Sequence, residues 1–268
     1  MESFAISTRN GIDPGGGGCS ARNGPGFQLF NCVVASNSSE WYGGGLYAEA
    51  GGLETWACTL SQNETQGYGG AAYLFGGYLT LANAIVADNE ALYGTEFALD
   101  GRSIVEVEFS DIVRQPGWLW FSGASYVFWG DGNLDTDPQF RDPGNHDYRL
   151  HVASPCVDAG SNALIPLDLA DIDQDGDTLE LWPFDRERNP RLARFTVDMG
   201  AHEVPFGDLN CDHAIDFDDI EPFVLALSDP VGYAAAYPDC EPLYADCNDD
   251  GFVDFEDINA FVALLGSR

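Results

Sequence analysis

A period of 26 residues runs through the first part of this 268-residue chain. Cys32-Val33-Val34 recurs as Cys58-Thr59-Leu60 and again as Ala84-Ile85-Val86. Asn37 returns as Asn63 and Asn89, Tyr42-Gly43-Gly44 as Tyr68-Gly69-Gly70, and Tyr47 as Tyr73. Self-similarity at a fixed period belongs to repeat architectures, in which each unit buries its apolar face against its neighbours. The units are rich in glycine, β-branched and aromatic residues and lack an apolar spacing at the helical period.

One coil per repeat predicts a right-handed parallel β-helix over residues 1–136, its coils stacked at the strand spacing of about 4.8 Å. Asn37, Asn63 and Asn89 are expected at one corner, in the left-handed conformation that Asn tolerates, with their amides bonded along the axis. Gly15–Gly18 include the position one period before Gly43-Gly44, where a turn needs positive φ or close backbone approach. Asn10 takes the place of Asn37 at a shift of 27, so the chain reads as beginning mid-coil, with further coils and a secretion signal expected upstream. After Asn89 the repeat loosens. Tyr93-Gly94 arrives one residue early, and Ser110-Asp111-Ile112-Val113 follows Asn83-Ala84-Ile85-Val86 at a shift of 27. The aromatic cluster Trp118, Trp120, Phe121, Tyr126, Phe128 and Trp129 is read as packing where the last coil meets the next segment; sugar stacking is the alternative.

There are seven cysteines. Cys32 and Cys58 form either a disulfide or a column of small buried side chains that Ala84 continues. Among Cys211, Cys240 and Cys247 a bridge is expected, with the pairing open. A net charge of −33, with arginine as the sole basic residue type, argues against nucleic acid and anionic membrane as partners. No apolar run is long enough for a membrane span.

Residues 137–203 carry a second set of motifs. Asp137-Pro138-Gln139-Phe140 is followed by Asp147-Tyr148-Arg149-Leu150, then by Ser154-Pro155-Cys156-Val157-Asp158-Ala159-Gly160. Asn189-Pro190-Arg191 and Val197-Asp198-Met199-Gly200-Ala201-His202-Glu203 close the segment. The segment resembles the C-terminal module that follows the coils of many secreted bacterial β-helix repeat proteins; Asp185-Arg186-Glu187-Arg188 departs from the usual acidic turn. The resemblance implies an extracellular or cell-surface setting and no particular reaction. Inside the module, Asp171-x-Asp173-x-Asp175-Gly176-Asp177 resembles half a calcium loop, but no acidic residue closes it near Trp182.

Residues 204–207 read as a linker. Beyond them a loop occurs twice at an offset of 38 residues. Asp208, Asn210, Asp212, Ala214, Asp216 and Asp219 match Asp246, Asn248, Asp250, Phe252, Asp254 and Asp257. The spacing 1, 3, 5, 7, 9, 12 surrounds a hard cation with oxygen, so Ca2+ is the expected cofactor. Side chains serve at 1, 3, 5, 9 and 12, and the backbone carbonyls of Ala214 and Phe252 at 7. Ile220, Phe223, Val224 and Leu227 match Ile258, Phe261, Val262 and Leu265, one apolar helix face per copy. Asp216 and Asp254 can cap these helices. The segment 204–268 has fifteen acidic residues against one arginine, so charge repulsion opposes its folding until a cation binds.

Residues 204–268 thus read as a small all-α domain and resemble a type I dockerin, which implies docking to a cohesin-like protein domain. His213 stands at the usual glycine, Pro222 is expected to interrupt the first helix beyond its first turn, and Phe217-Asp218 and Phe255-Glu256 replace the usual small hydroxyl residues. Val224-Leu225 and Val262-Ala263 replace a basic pair. The reading is a β-helix binding or structural protein linked to extracellular polysaccharide. The alternative is a polysaccharide lyase or hydrolase. The coils lack lysine, which weakens a lyase, and no catalytic residue is assigned; Glu64, Glu90, Glu106, Glu108 and Asp111 leave a carboxylate pair open.

Overall fold

The computed structural model describes residues 5–6, 16–24 and 26–265. Asn10 and Gly15 lie outside these. The coils form a parallel β-solenoid of about four turns. Among the described residues, three five-stranded sheets and one three-stranded sheet run along its axis, each strand pairing with its equivalent one coil on. Val33–Ala35, Thr59–Ser61 and Ile85–Ala87 stack in register in the first sheet, and Ala5–Ile6 forms its edge. Leu46–Glu49, Ala72–Phe75 and Phe97–Asp100 stack in the second, and Gly52–Trp56, Tyr78–Ala82 and Ile104–Glu108 in the third. Val34, Leu60, Val86 and Ile112 make one inward column, and Leu53, Leu79 and Val105 another, all fully buried. Each such side chain contributes about 1.5–3 kcal/mol of transfer free energy, which sets the register coil by coil.

The loosening after Asn89 is a compensated slip. Tyr93 pairs with Tyr68 and Phe97 with Ala72, each one residue short of the period, and Ile104 pairs with Tyr78 back in phase. Asp111 pairs with Ile85, so the shift there is 26 and not the expected 27. Hydrogen-bond register overrides the apolar match: Ile112 continues the inward Val86 column, and Asp111 takes the outward position of Ile85.

The asparagine column forms, with a correction to its backbone. Asn37 Nδ2 donates to Asn63 Oδ1, and Asn63 Nδ2 to Asn89 Oδ1, both at 2.9 Å. The left-handed residues are their predecessors Ser36, Gln62 and Asp88, with φ of 55°, 55° and 58°. These take the bend so that the amides can point inward. Gly43 and Gly69 have φ of 59° and 75°, and a Cβ on Gly44 or Gly70 would lie within 2.6 Å of a carbonyl oxygen of the next coil. Both reasons for glycine therefore apply, at adjacent positions.

No disulfide joins Cys32 and Cys58; both are buried in the small-residue column, their thiols on backbone carbonyls. Trp118 packs against the solenoid core and Trp120 against the Tyr68 ring, as packing residues should. Phe121, Tyr126 and Phe128 differ: each is more than half exposed on the last coil.

The segment after Leu134 folds back over the outer face of the first sheet. Val33, Ala35, Ile85 and Ala87 point outward there, and Phe140, Tyr148, Met199, Ala201 and Val204 cover them. Ala201 N–H donates to Thr59 Oγ1 at 3.1 Å, and Asn83 bonds both ways with the backbone of Ser161. Asp111 accepts from the Thr136 amide and hydroxyl and from the Cys156 thiol, which accounts for its burial. The later motifs of the segment meet in one buried polar network. Arg191 pairs with Glu203 at 3.2 Å and donates to the carbonyls of Asp198 and Gly200. Asp185 accepts from Asn189 and from the Glu203 amide, and Asp198 from the Asp158 and Val204 amides. Burial pushes the Asp198 carboxyl up to about 7 and the His202 imidazole down to about 3.

Candidate metal centre

Among its described residues the tail has three α-helices: α1, Ile220–Ser228; α2, Pro230–Ala236; α3, Asp257–Leu265. Each acidic loop precedes one outer helix, and the two loops share a backbone hydrogen-bond pattern. Asp208 accepts from the amides of Asp212 and His213 at 3.2 and 2.9 Å; Asp246 accepts from Asp250 and Gly251 at the same distances. Asn210 and Asn248 each accept from the amide two residues on at 2.9 Å. Asp212 does so from Ala214 and Asp250 from Phe252, at 3.0 and 2.9 Å. The chain turns left-handed at Cys211 and His213, and at Asp249 and Gly251. Positions 1, 3 and 5 of both loops thus accept the same set of backbone amides through the same turns.

The twelfth residues, Asp219 and Asp257, are fully buried. Asp219 accepts from the amides of Leu209, Asn210 and Asp216, and Asp257 from those of Asn248 and Asp254. These carboxylates tie the end of each loop to its beginning. Asp216 accepts from Asp218 and completes a capping box with Asp219; Asp254 accepts from Glu256 in the same way. Burial, followed by the Asp219 and Asp212 charges, pushes the Asp208 carboxyl up to about 6 despite the amides it accepts from. Negative charge is therefore crowded at the first loop. The donors at both loops are carboxylate, amide and carbonyl oxygen, which fits Ca2+ and suits no soft metal. Groups of three carboxylates within 4.8 Å of one another occur, among the described residues, in the 168–180 hairpin instead; each tail loop spends its closing carboxylate on the backbone.

Pro222 does not break a helix. A 3-10 turn over Phe217–Asp219 leads into α1, and Pro222 is the third residue of α1, inside the first turn, where proline is tolerated. His213 holds φ at 69°, with Nδ1 2.8 Å from Asn189 Oδ1. Cys211 and Cys240 form the tail's disulfide, with a Cα–Cα distance of 5.9 Å, while Cys247 is free and buried. The expected linker is buried as well: Val204 and Phe206 join the core shared with Phe223, Tyr233 and Phe261. Arg194 reaches from the neighbouring segment to the Asp246 carbonyl at 3.1 Å and pairs with Asp158 and Asp249. Sequence spacing carries no signal for these ties.

Phe223 and Phe261 stack with ring centroids 4.1 Å apart, bringing α1 and α3 together. The groove between them, about 300 Å³, is lined by Ile220, Val224, Leu227, Phe255, Ile258 and Val262 among others. Phe255, which lines the groove, is almost four-fifths exposed, and so is Phe217 in the 3-10 turn before α1. Comparison of the chain with protein-family models, with curated proteins and with solved structures finds no match. No helix among the described residues is long and apolar enough to cross a membrane.

Proposed function

We propose that the chain is a secreted or cell-surface binding protein: a β-helix scaffold attached through a calcium-dependent, dockerin-like tail. One observation carries the reading. Two oxygen-lined loops with the same hydrogen-bond pattern each feed a helix, and the paired helices leave an apolar groove exposed. Solvent-facing apolar surface of this kind is characteristic of a docking surface. Ca2+ would be held by Asp208, Asn210, Asp212, Ala214, Asp216 and Asp219, and by Asp246, Asn248, Asp250, Phe252, Asp254 and Asp257. Its charge would offset the crowding of carboxylates and fix the angle between α1 and α3. The partner is a cohesin-like domain with an apolar centre and a basic rim, the complement of exposed Asp218, Glu221 and Glu256, which stand within two residues of Ile220 and Phe255 in sequence. Exposed Phe121, Tyr126 and Phe128 on the last coil support contact with polysaccharide, since flat aromatic faces stack on sugar rings.

The test uses the full chain. Calorimetric titration with Ca2+ should lose one site in Asp219→Asn and one in Asp257→Asn. Purified cohesin domains should bind in Ca2+ and release in chelator, with Val224→Asp and Val262→Asp together abolishing capture. An unchanged calcium count in the double Asp→Asn variant would reject the reading.

A further inference from the structure

The hairpin between Pro166 and Trp182 belongs to neither the solenoid nor the tail. Its ends are pinned by Asp168 N–H to the Glu180 carbonyl and Trp182 N–H to the Pro166 carbonyl, both at 2.9 Å. Its tip is Asp171-x-Asp173-x-Asp175-Gly176, and beyond Asp171, which is itself left-handed, it turns as the two tail loops do. Gln174 and Gly176 have φ of 65° and 91°, at the positions where Asp249 and Gly251 have 65° and 84°. Asp171 accepts from the amide five residues on at 3.1 Å, as Asp246 does from Gly251. Asp173 accepts from Asp175 and Asp175 from Asp177, as Asn248 does from Asp250 and Asp250 from Phe252.

The twelfth position is Trp182, so the loop lacks a closing carboxylate in the usual place. Asp168 supplies one from the opposite side. Its Oδ2 accepts from Ile172 N–H at 2.6 Å, the bond that Asp219 makes to Leu209 N–H at 2.7 Å. Asp168 is fully buried, and its other oxygen, Oδ1, has no hydrogen-bond partner among the described residues; neither has the buried Oε1 of Glu180. Carboxylate oxygens of Asp168, Asp173 and Glu180 lie within 4.8 Å of one another, and so do those of Asp171, Asp173 and Asp175. Buried, unpaired carboxylate oxygens are costly and call for a cation or a proton. Ligands on a shared calcium ion at about 2.4 Å are separated by at most about 5 Å, a limit that each of the two triads satisfies.

We infer that this hairpin binds a third divalent cation of calcium size, ligated by Asp168, Asp171, Asp173, Asp175 and Glu180. Asp173 is common to both groups and stands at the centre of the site. Five flexible carboxylates suit the six to eight ligands of Ca2+ better than the strict octahedron of Mg2+. The ion would lock the hairpin that lays Trp182 on Phe30, 5.2 Å between ring centroids, against the flank of the solenoid.

The site is independent of the tail loops, and the test separates them. Native mass spectrometry and calorimetric titration of the full chain with Ca2+, in a Mg2+ background, count the ions. Asp168→Asn should bind one fewer than the parent chain. Glu180→Gln, a change at a partly exposed residue that leaves folding intact, should weaken the same site at least tenfold. With Asp219→Asn and Asp257→Asn combined, one ion should remain, and adding Asp168→Asn should remove it. A parent chain that binds a single ion, lost in Asp168→Asn, would support this site and reject the tail loops. A calcium count and affinity unchanged in both Asp168→Asn and Glu180→Gln would overturn the inference, as would a parent chain that binds no calcium.

Discussion

Asn89 Nδ2 donates to Glu96 Oε2 at 2.7 Å, where the column of stacked amides ends. Glu96 follows Ala71 and Gly45 in the repeat, so a carboxyl replaces a small residue beside the ladder. It is buried, and burial pushes it up to about 8 against the Asn89 bonds that favour its charged form. The folded chain thus keeps a proton on Glu96 that the unfolded chain releases near its ordinary value of 4.5. Between these two pH values the native state binds more protons, so this group's contribution to stability falls as pH rises and levels off above about 8. Each tenfold change in proton affinity is worth about 1.4 kcal/mol, so the total is on the order of a few kcal/mol. Glu96→Gln keeps an acceptor for Asn89 and removes the titration. It should match the parent near pH 4.5 and exceed it in urea midpoint at pH 8.5. An equal difference at both pH values would contradict the assignment.

Asn63 is the middle of the ladder. Its side chain accepts from Asn37 and donates to Asn89 and to the Val34 carbonyl at 2.8 Å. Asn63→Ala strands several of these groups in a site with no exposure. Each stranded buried group costs about 1–3 kcal/mol, so a loss of about 3 kcal/mol is expected in denaturant titration, with the coil spacing kept. Asn63→Asp should be worse, because a carboxylate cannot donate to Asn89.

Glycine at the second Gly of each repeat is tested at Gly70. A Cβ there would sit 2.2 Å from the Thr95 carbonyl and 2.8 Å from the Glu90 amide, both backbone atoms. The coils would have to part by more than packing allows. Gly70→Ala should lower the solenoid midpoint by more than Gly24→Ala, whose nearest contact is 3.5 Å away.

The solenoid was legible because parallel stacking forces equivalent residues to the same period. The amide ladder and the glycine turns followed from it. The early arrival of Tyr93-Gly94 already showed the slip, but its compensation by Ile104 and the place of Asp111 were not legible, since a one-residue change leaves the apolar pattern nearly as good. Long-range ties were also silent. Ala201 meets Thr59 and His213 meets Asn189 through the fold of the intervening chain, which no local spacing reports. At the candidate loops, ligand spacing could be read directly, whereas Asp168 precedes the motif it completes and is found only once the hairpin folds.

The two tail loops are expected to fill unequally, with Asp246–Asp257 the tighter. Pro222 gives no reason for this, since it lies in the first turn of α1. The difference rests on position 6 of the loop. Gly251 takes φ of 84° freely, whereas His213 is forced to 69° and is tethered to Asn189. A left-handed residue with a Cβ costs about 1–2 kcal/mol, or roughly a factor of five to thirty in affinity if it is met when the loop orders on the ion. Arg194 lies beside the second loop, but Asp158 and Asp249 offset its charge. In the full chain, Asp219→Asn leaves the second loop to be measured and Asp257→Asn the first. The Asp257→Asn chain should bind Ca2+ at the tail more weakly than the Asp219→Asn chain, and His213→Gly added to it should recover about fivefold or more of that deficit. A first loop that binds equally well with His213 and with Gly would show that backbone strain at this position does not limit affinity.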